Sequence, residues 1–132
     1  VHSGALGWVG YVSFGALYCM VPWIWGKRDV YSLKLVDWHF WISTLGIVLY
    51  ITSMWVSGIM QGLMWRAYTE LGFLQYSFVE TVEAMHPYYV IRALGGILFL
   101  AGAVIMAVNL YLTIRHGEAE KPAADVALAP AE

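Results

Sequence analysis

The histidine at the second position is the residue best suited to bind a metal ion. His2 lies in the segment Val-His-Ser-Gly-Ala-Leu-Gly-Trp, at the head of a long apolar run. A neutral imidazole nitrogen is a common ligand of haem iron and of other metals. The small residues at positions 3–5 and 7 would let a flat macrocycle approach the backbone. The alternative is a histidine at the membrane surface, on a helix whose small residues serve only packing.

Two arginines offer a second kind of chemistry. Arg66 and Arg92 each flank a long apolar run. Arginine carries a planar five-donor fork that suits a carboxylate or a phosphate, and haem propionates are such carboxylates. Arg92 is the better candidate because it is predicted in the first or second turn of a helix, whereas Arg66 lies beyond the end of one. The alternative for both is an interaction with lipid headgroups.

The composition excludes most soluble classes of protein. Of the 132 residues, 61% are hydrophobic and only 12% are charged, against about 25% charged in an ordinary soluble domain. This excludes a typical cytosolic enzyme domain and a disordered protein. The net charge of −2, without a basic block, argues against nucleic-acid binding. The single cysteine, Cys19, excludes an internal disulfide and a metal site made of cysteines alone.

Three runs without Asp, Glu, Lys or Arg predict the architecture. They cover residues 1–26, 38–65 and 93–114, and each is as long as the roughly 20 residues that cross a bilayer as a helix. We therefore predict an all-α membrane protein with three transmembrane helices, surrounded by the lipid bilayer. Gly58 and Gly62 form a Gly-x-x-x-Gly pair that permits close helix contact. Polar residues inside the runs are expected to bond to backbone or to neighbouring helices.

The segments between the runs differ in length. Residues 27–37 form a short polar loop, and residues 73–85 are predicted as a short helix at the membrane surface. The third helix is expected to start at or just after Pro87, because proline disfavours helical geometry in the residue before it. Residues 1–116 are thus the transmembrane part, and residues 117–132, rich in Ala, Pro and Glu, are an expected disordered tail.

The positive charges predict the orientation. Five Lys or Arg residues fall on the side that carries the short loop and the tail, and two fall on the other side. The positive-inside rule places the first side, and hence the C-terminus, in the cytoplasm. His2 and Arg92 then lie near the outer surface. The five residues are Lys27, Arg28, Lys34, Arg115 and Lys121; the two are Arg66 and Arg92.

The other three histidines are expected to be structural. His39 is predicted at the level of the lipid headgroups, beside two tryptophans. His116 is predicted to be exposed at the end of the third helix. His86 is predicted on the same side as His2, where it would cap the third helix or meet the edge of a cofactor.

Several longer segments resemble one known family. They are VHSGALGW, VPWIWGKRDVYSLKLVDWHFW, LGIVLY, WVSGIMQGLMWR and MHPYYVIRALGG. They resemble the C-terminal third of subunit I, the catalytic subunit, of cbb3-type (C-type haem–copper) cytochrome c oxidases. The resemblance covers roughly residues 1–115. It implies that the three helices correspond to the last three of a twelve-helix bundle. The chain would then be a C-terminal fragment, as its start at valine also suggests. Such a fragment is expected to be inactive by itself.

The resemblance also implies a function and a site. The family reduces O2 to water, pumps protons, and receives electrons from membrane-anchored c-type cytochrome subunits in the bacterial inner membrane. His2 matches an axial ligand of the low-spin haem b, and Arg92 is expected by its location to contact a propionate. The ligands of the high-spin haem b and of copper would lie in the remainder of the catalytic subunit. Two alternatives stay open: a nitric oxide reductase-like subunit, and a cofactor-free three-helix scaffold or assembly protein.

Overall fold

Three long helices make up the described part of the molecule. The computed structural model describes residues 1–118. A π-helical segment, Ser3–Val9, continues into α1, Gly10–Ile24; α2 covers Leu33–Trp65 and α3 covers Phe78–His116. The combined first helix, α2 and α3 are each long and apolar enough to cross a membrane. The prediction of an all-α protein with three membrane-spanning helices is confirmed. The predicted tail begins at Gly117, and its residues 119–132 lie outside the part of the chain that the structure describes.

The second helix begins earlier than the charge pattern predicts. Ser32 caps it, since the Ser32 hydroxyl accepts a hydrogen bond from the backbone N–H of Leu35 at 3.4 Å. Lys34 and Asp37 therefore lie in the first turns of α2 and not in the loop. A charged residue marks where a helix leaves the hydrocarbon, and the helix itself continues into the polar boundary.

The third helix also begins earlier, and here the prediction was wrong. Ser77 and Glu80 form a capping box: the N–H of Ser77 donates to Glu80 Oε2 at 2.6 Å, and the N–H of Glu80 donates to Ser77 Oγ at 3.3 Å. The helix passes through Pro87 without ending. Proline removes one hydrogen bond from the interior of a helix, but the capping box upstream fixes the start. The separate helix predicted over residues 73–85 is therefore largely the beginning of α3, and His86 is helical.

The packing of α2 against α3 depends on glycines that let the two backbones touch. A Cβ added at Gly46 would lie 2.6 Å from the amide nitrogen of Phe99 and 2.7 Å from the carbonyl oxygen of Gly95. By contrast, a Cβ at Gly58 or Gly62 would meet nothing within 4 Å among the described residues. The predicted close contact through the Gly-x-x-x-Gly pair is therefore not made within residues 1–118.

The first helix packs through aromatic side chains onto α2. The Tyr11 hydroxyl lies 2.9 Å from Thr44 Oγ1, and the Tyr18 hydroxyl lies 3.0 Å from His39 Nδ1. Phe14 lies between these contacts, with its ring centroid 4.9 Å from that of His39.

His39 consequently does not face lipid headgroups, because it is buried between helices with only 3% of its surface exposed. Its predicted level in the membrane stays a prediction. Its neighbours Trp38 and Trp41 do face outward. Because adjacent helical residues point in different directions, their exposure did not extend to His39. His39 Nε2 and Ser43 Oγ are buried without a hydrogen-bond partner among the described residues.

Asn109 ties the loop between α1 and α2 to the third helix. The Ser32 N–H donates to Asn109 Oδ1 at 3.1 Å, and Asn109 Nδ2 donates to the Ser32 carbonyl oxygen at 3.0 Å. One turn later, Thr113 Oγ1 accepts from the N–H of Tyr31 at 2.9 Å. Asn109 and Thr113 are fully buried. These bonds confirm for Asn109 the expectation that polar residues inside the runs bond to backbone or to neighbouring helices. Ser43, whose Oγ has no partner among the described residues, departs from that expectation.

Replacing Asn109 with leucine is expected to destabilise this end of the bundle. The change keeps the side-chain volume but leaves the Ser32 N–H unpaired, at about 1–3 kcal/mol for a buried group. The Ser32 C=O loses one of its two bonds and still accepts from the Val36 N–H at 3.4 Å. Thermal unfolding of the full-length subunit in detergent would measure the loss. Val108→Leu, at the exposed neighbouring position, is the control. Equal melting temperatures for the two variants would contradict the role of Asn109.

Candidate functional site

The imidazole of His2 is accessible at the start of the first helix, beside the middle of α2. His2 immediately precedes the π-helical segment, and its side chain is exposed. Its one described aromatic contact is Tyr50 of α2, with ring centroids 5.1 Å apart and the two planes tilted by 48°. This contact leaves the ring free to offer a nitrogen to a metal ion.

The helix surface beside His2 is bare. A Cβ added at Gly4 or Gly7 would meet nothing within 4 Å among the described residues, and Ser3, Gly4 and Ala5 are exposed. The winding here is π-helical rather than α-helical, a form that is frequent at functional sites. The small residues therefore present a flat, open surface next to a potential metal ligand.

Arg92 lies on α3, but deeper in that helix than predicted. The helix begins at Phe78, so Arg92 is fourteen residues, or about 21 Å, from its start at 1.5 Å per residue. The prediction of the first or second turn was wrong because the capping box moved the start of α3 upstream. Arg92 still borders the charge-free part of the helix, which begins at Ala93.

The surroundings of Arg92 hold its guanidinium without neutralising it. Nη1 donates to Met54 Sδ at 3.5 Å, and the guanidinium carbon lies 5.1 Å from the centroid of the Tyr89 ring. A thioether is a weak acceptor, and an aromatic face attracts a cation without removing its charge. Most of the five N–H donors of Arg92 have no acceptor within residues 1–118 and are available to another one.

The structure brings His2 and Arg92 to neighbouring positions along α2, near the middle of that helix. Tyr50, which contacts His2, packs its backbone against Gly95 of α3. Met54, one turn beyond Tyr50, contacts Arg92, which lies just before Gly95. His2 and Arg92 are therefore connected through one patch of α2. Sequence reasoning missed Tyr50 and Met54, because their spacing of four residues places them on one face of α2 but does not show which helix that face meets.

The other predicted positions do not join this patch. Arg66 is the exposed C-terminal cap of α2. His86 is exposed in the first half of α3, in a groove lined by Phe78, Val82 and Glu83. It does not cap the helix as the sequence suggested. His116 is exposed at the last position of α3, as predicted.

The residues present could hold one side of a haem, but they could not form a metal site from protein side chains of this segment alone. No group of three or more His, Cys, Asp or Glu side chains within residues 1–118 is arranged to hold a metal ion. A haem needs only one or two axial ligands from the protein because its macrocycle supplies the rest. One free imidazole, a bare helix surface and an arginine with spare donors match that need.

The comparisons with known proteins establish the class. The family model described as "Cytochrome C and Quinol oxidase polypeptide I" matches residues 1–98, most of the chain. The chain therefore belongs to this family of membrane oxidase subunits. The predicted resemblance is confirmed, and the apolar helices are those of an integral membrane protein.

The relatives are cytochrome c oxidase subunits. The chain is 74% identical over its whole length to the "Cytochrome c oxidase subunit 1 homolog, bacteroid" of Bradyrhizobium diazoefficiens. It is 70% identical, also over its whole length, to the "Cytochrome c oxidase subunit 1 homolog" of Azorhizobium caulinodans. Over 93% of the chain it is 54% identical to the "Cbb3-type cytochrome c oxidase subunit CcoN1" of Stutzerimonas stutzeri. The chain spans about a quarter of the length of these relatives, 24%, 24% and 25% respectively.

Proposed function

We propose that the chain forms part of the catalytic subunit of a cbb3-type cytochrome c oxidase, which reduces O2 to water and pumps protons. The observation that carries this proposal is the exposed imidazole of His2 beside a bare helix surface, in a chain that belongs to the oxidase family. The identity to a subunit named as cbb3-type supports the subtype. The named relatives are oxidases, which favours this function over a nitric oxide reductase or a cofactor-free scaffold.

In this proposal His2 is an axial ligand of the low-spin haem b. When bound, that group supplies one-electron redox chemistry. His2 contributes a neutral imidazole nitrogen, and the glycines beside it keep side chains out of the way of the macrocycle. The high-spin haem b and copper would take their ligands from the remainder of the subunit.

Arg92 is proposed to hold a haem propionate. Its guanidinium rests on Met54 and Tyr89 and keeps donors available for a carboxylate. The cation also makes it easier to add an electron nearby, because the reduced form carries one more negative charge.

Replacing Arg92 with leucine is therefore expected to lower the midpoint potential of the low-spin haem by roughly 60 mV, a tenfold change for one electron. Redox titration of the full-length complex measures this shift. Arg92→Lys should lower the midpoint potential by less, because lysine keeps the positive charge but lacks the planar guanidinium. Arg66→Leu, at an exposed helix end, is the matched control. An unchanged potential in Arg92→Leu would contradict the contact.

The proposed partners are inferred from the exposed apolar surfaces and the family, and the proposed orientation from the distribution of Lys and Arg. Large apolar side chains on all three helices are exposed, including Trp8, Trp55 and Leu100. We propose that lipid and the remainder of the catalytic subunit cover them, and that c-type cytochrome subunits bind on the side of His2. That side would face the outside of the bacterial inner membrane, and the C-terminus and the short loop would lie in the cytoplasm.

The function is tested on the purified complex that contains the full-length subunit. Oxygen consumption with a reduced c-type cytochrome as donor, and proton release from cells given a pulse of O2, are expected. Nitric oxide turnover without O2 consumption would contradict the proposed function. Oxygen consumption without proton release would contradict only the proposed pumping.

A further inference from the structure

We propose that Tyr50 is a positioning residue that sets the rotation of the His2 imidazole, an inference that rests on the proposed role of His2 as a haem ligand. The rings of Tyr50 and His2 are 5.1 Å apart at centroids, with a 48° tilt. This separation falls in the range of direct aromatic contact. No other aromatic contact of His2 occurs within residues 1–118.

The backbone of Tyr50 is held by α3. A Cβ added at Gly95 would lie 2.8 Å from the amide nitrogen of Tyr50 and 3.2 Å from its Cα. Only glycine at position 95 allows the helices to come this close, and the contact leaves Tyr50 little freedom to move. The base of the side chain is thereby fixed relative to both helices.

The ring of Tyr50 lies beside Gly96 of α3. A Cβ at Gly96 would lie 4.0 Å from both Cδ2 and Cε2 of the ring, which is ordinary van der Waals contact. The ring is half-buried, with α3 on one side and His2 on another. Within residues 1–118 the side-chain hydrogen bonds include the hydroxyls of Tyr11 and Tyr18 but not that of Tyr50. The effect on His2 is therefore one of ring packing.

The rotation of an axial imidazole is a property that a protein controls. The plane of the ring determines how its π orbitals overlap with the iron d orbitals, and groups behind the ligand usually fix that plane. His2 lies at the start of its helix, where few neighbours restrict the side chain. A packed aromatic ring from α2 supplies the restriction that the local chain lacks.

The test compares Tyr50→Leu with Tyr50→Phe in the full-length complex with its haems bound. The readouts are haem content, the EPR g values of the oxidised low-spin haem, and its midpoint potential. Tyr50→Leu is expected to retain haem but to broaden and shift the g values. It is also expected to change the reduction equilibrium by three- to tenfold, up to about 59 mV. Tyr50→Phe is expected to match the wild type because the ring is retained.

Two further variants make the comparison decisive. Trp55→Leu removes an exposed ring from the same helix and should leave the EPR spectrum unchanged. Tyr50→Met replaces the ring with a flexible apolar chain of similar reach, and it takes the place of Tyr50→Leu if that variant does not assemble.

Wild-type g values and potential in the assembled non-aromatic variant would overturn the inference. So would equal shifts in Tyr50→Phe and Tyr50→Leu, because the hydroxyl would then be responsible. His2→Leu separates this inference from the proposed function. If His2→Leu abolishes the low-spin signal while Tyr50→Leu leaves it unaltered, only the role of Tyr50 fails. If His2→Leu retains the signal, both fail.

Discussion

Replacing His2 with leucine in the full-length subunit is expected to abolish the low-spin haem signal. Leucine has a similar size but no nitrogen, so the iron loses an axial ligand. Even a residue that only supports a metal ligand contributes about 10–100-fold to metal affinity, so losing the ligand itself should exceed that range. Reduced-minus-oxidised optical spectra and EPR of the purified complex measure the loss directly.

The control for this variant is another exposed histidine. His86 is exposed on α3 and is not part of the patch that connects His2 to Arg92. His86→Leu should therefore leave the low-spin signal at the wild-type level. A wild-type spectrum in His2→Leu would remove the ligand assignment, and a selective loss in His86→Leu would transfer it to the other histidine.

Replacing Gly95 with alanine is expected to separate α2 from α3. The added Cβ would lie 2.6 Å from the carbonyl oxygen of Gly46 and 2.8 Å from the amide nitrogen of Tyr50. Both are backbone atoms, which cannot turn away as a side chain can. Overpacking typically destabilises by about 1–3 kcal/mol, and a clash between two backbones should lie at the upper end or beyond. Thermal unfolding of the full-length subunit, with the yield of assembled complex, measures this effect.

Gly96 provides a matched control on the same helix. A Cβ there would make only ordinary contacts of 4.0 Å with the Tyr50 ring. Because alanine also has a higher helix propensity than glycine, by about 1 kcal/mol, Gly96→Ala should be neutral or slightly stabilising. Similar melting temperatures for Gly95→Ala and Gly96→Ala would contradict the close backbone contact between α2 and α3.

The existence of three spans could be predicted from sequence because the bilayer imposes a simple condition. Charged side chains are costly in hydrocarbon, so long runs without them mark the parts of helices inside the membrane. The same condition says little about helix ends. Lys34 and Asp37 are compatible with helix outside the hydrocarbon, so α2 extends past the run. At α3, the Ser77–Glu80 capping box was a readable signal that should have outweighed the rule for Pro87.

The contact faces were harder to predict than the spans. The pair Gly58 and Gly62 has the favoured spacing, but the spacing does not reveal which face of α2 meets α3. The buried residues of α2 include His39, Ser43, Gly46 and Ser53. They recur at steps of four, three and seven residues, the repeat of a stripe that packs against a neighbouring helix. This stripe of small and polar residues was visible in the sequence and would have placed His39 inside.

The residues of the candidate site also differ in how far the sequence could predict them. The proposal for His2 depends on the family motif, because its residue type and small neighbours also fit a histidine at the membrane surface. Arg92 was chosen by location, and its supports became visible only in three dimensions. Tyr50 and Met54 could not be assigned from sequence, because their role depends on how α2 is rotated relative to the first helix and α3.

A high-resolution cryo-EM map of the full-length complex is the most direct test of the central claim. The account predicts a haem beside the π-helical segment Ser3–Val9, with its iron bonded to a nitrogen of His2. The Tyr50 ring should lie against the His2 imidazole, and Arg92 should contact a propionate. A haem iron bound by other residues, with His2 facing lipid or another helix, would contradict it.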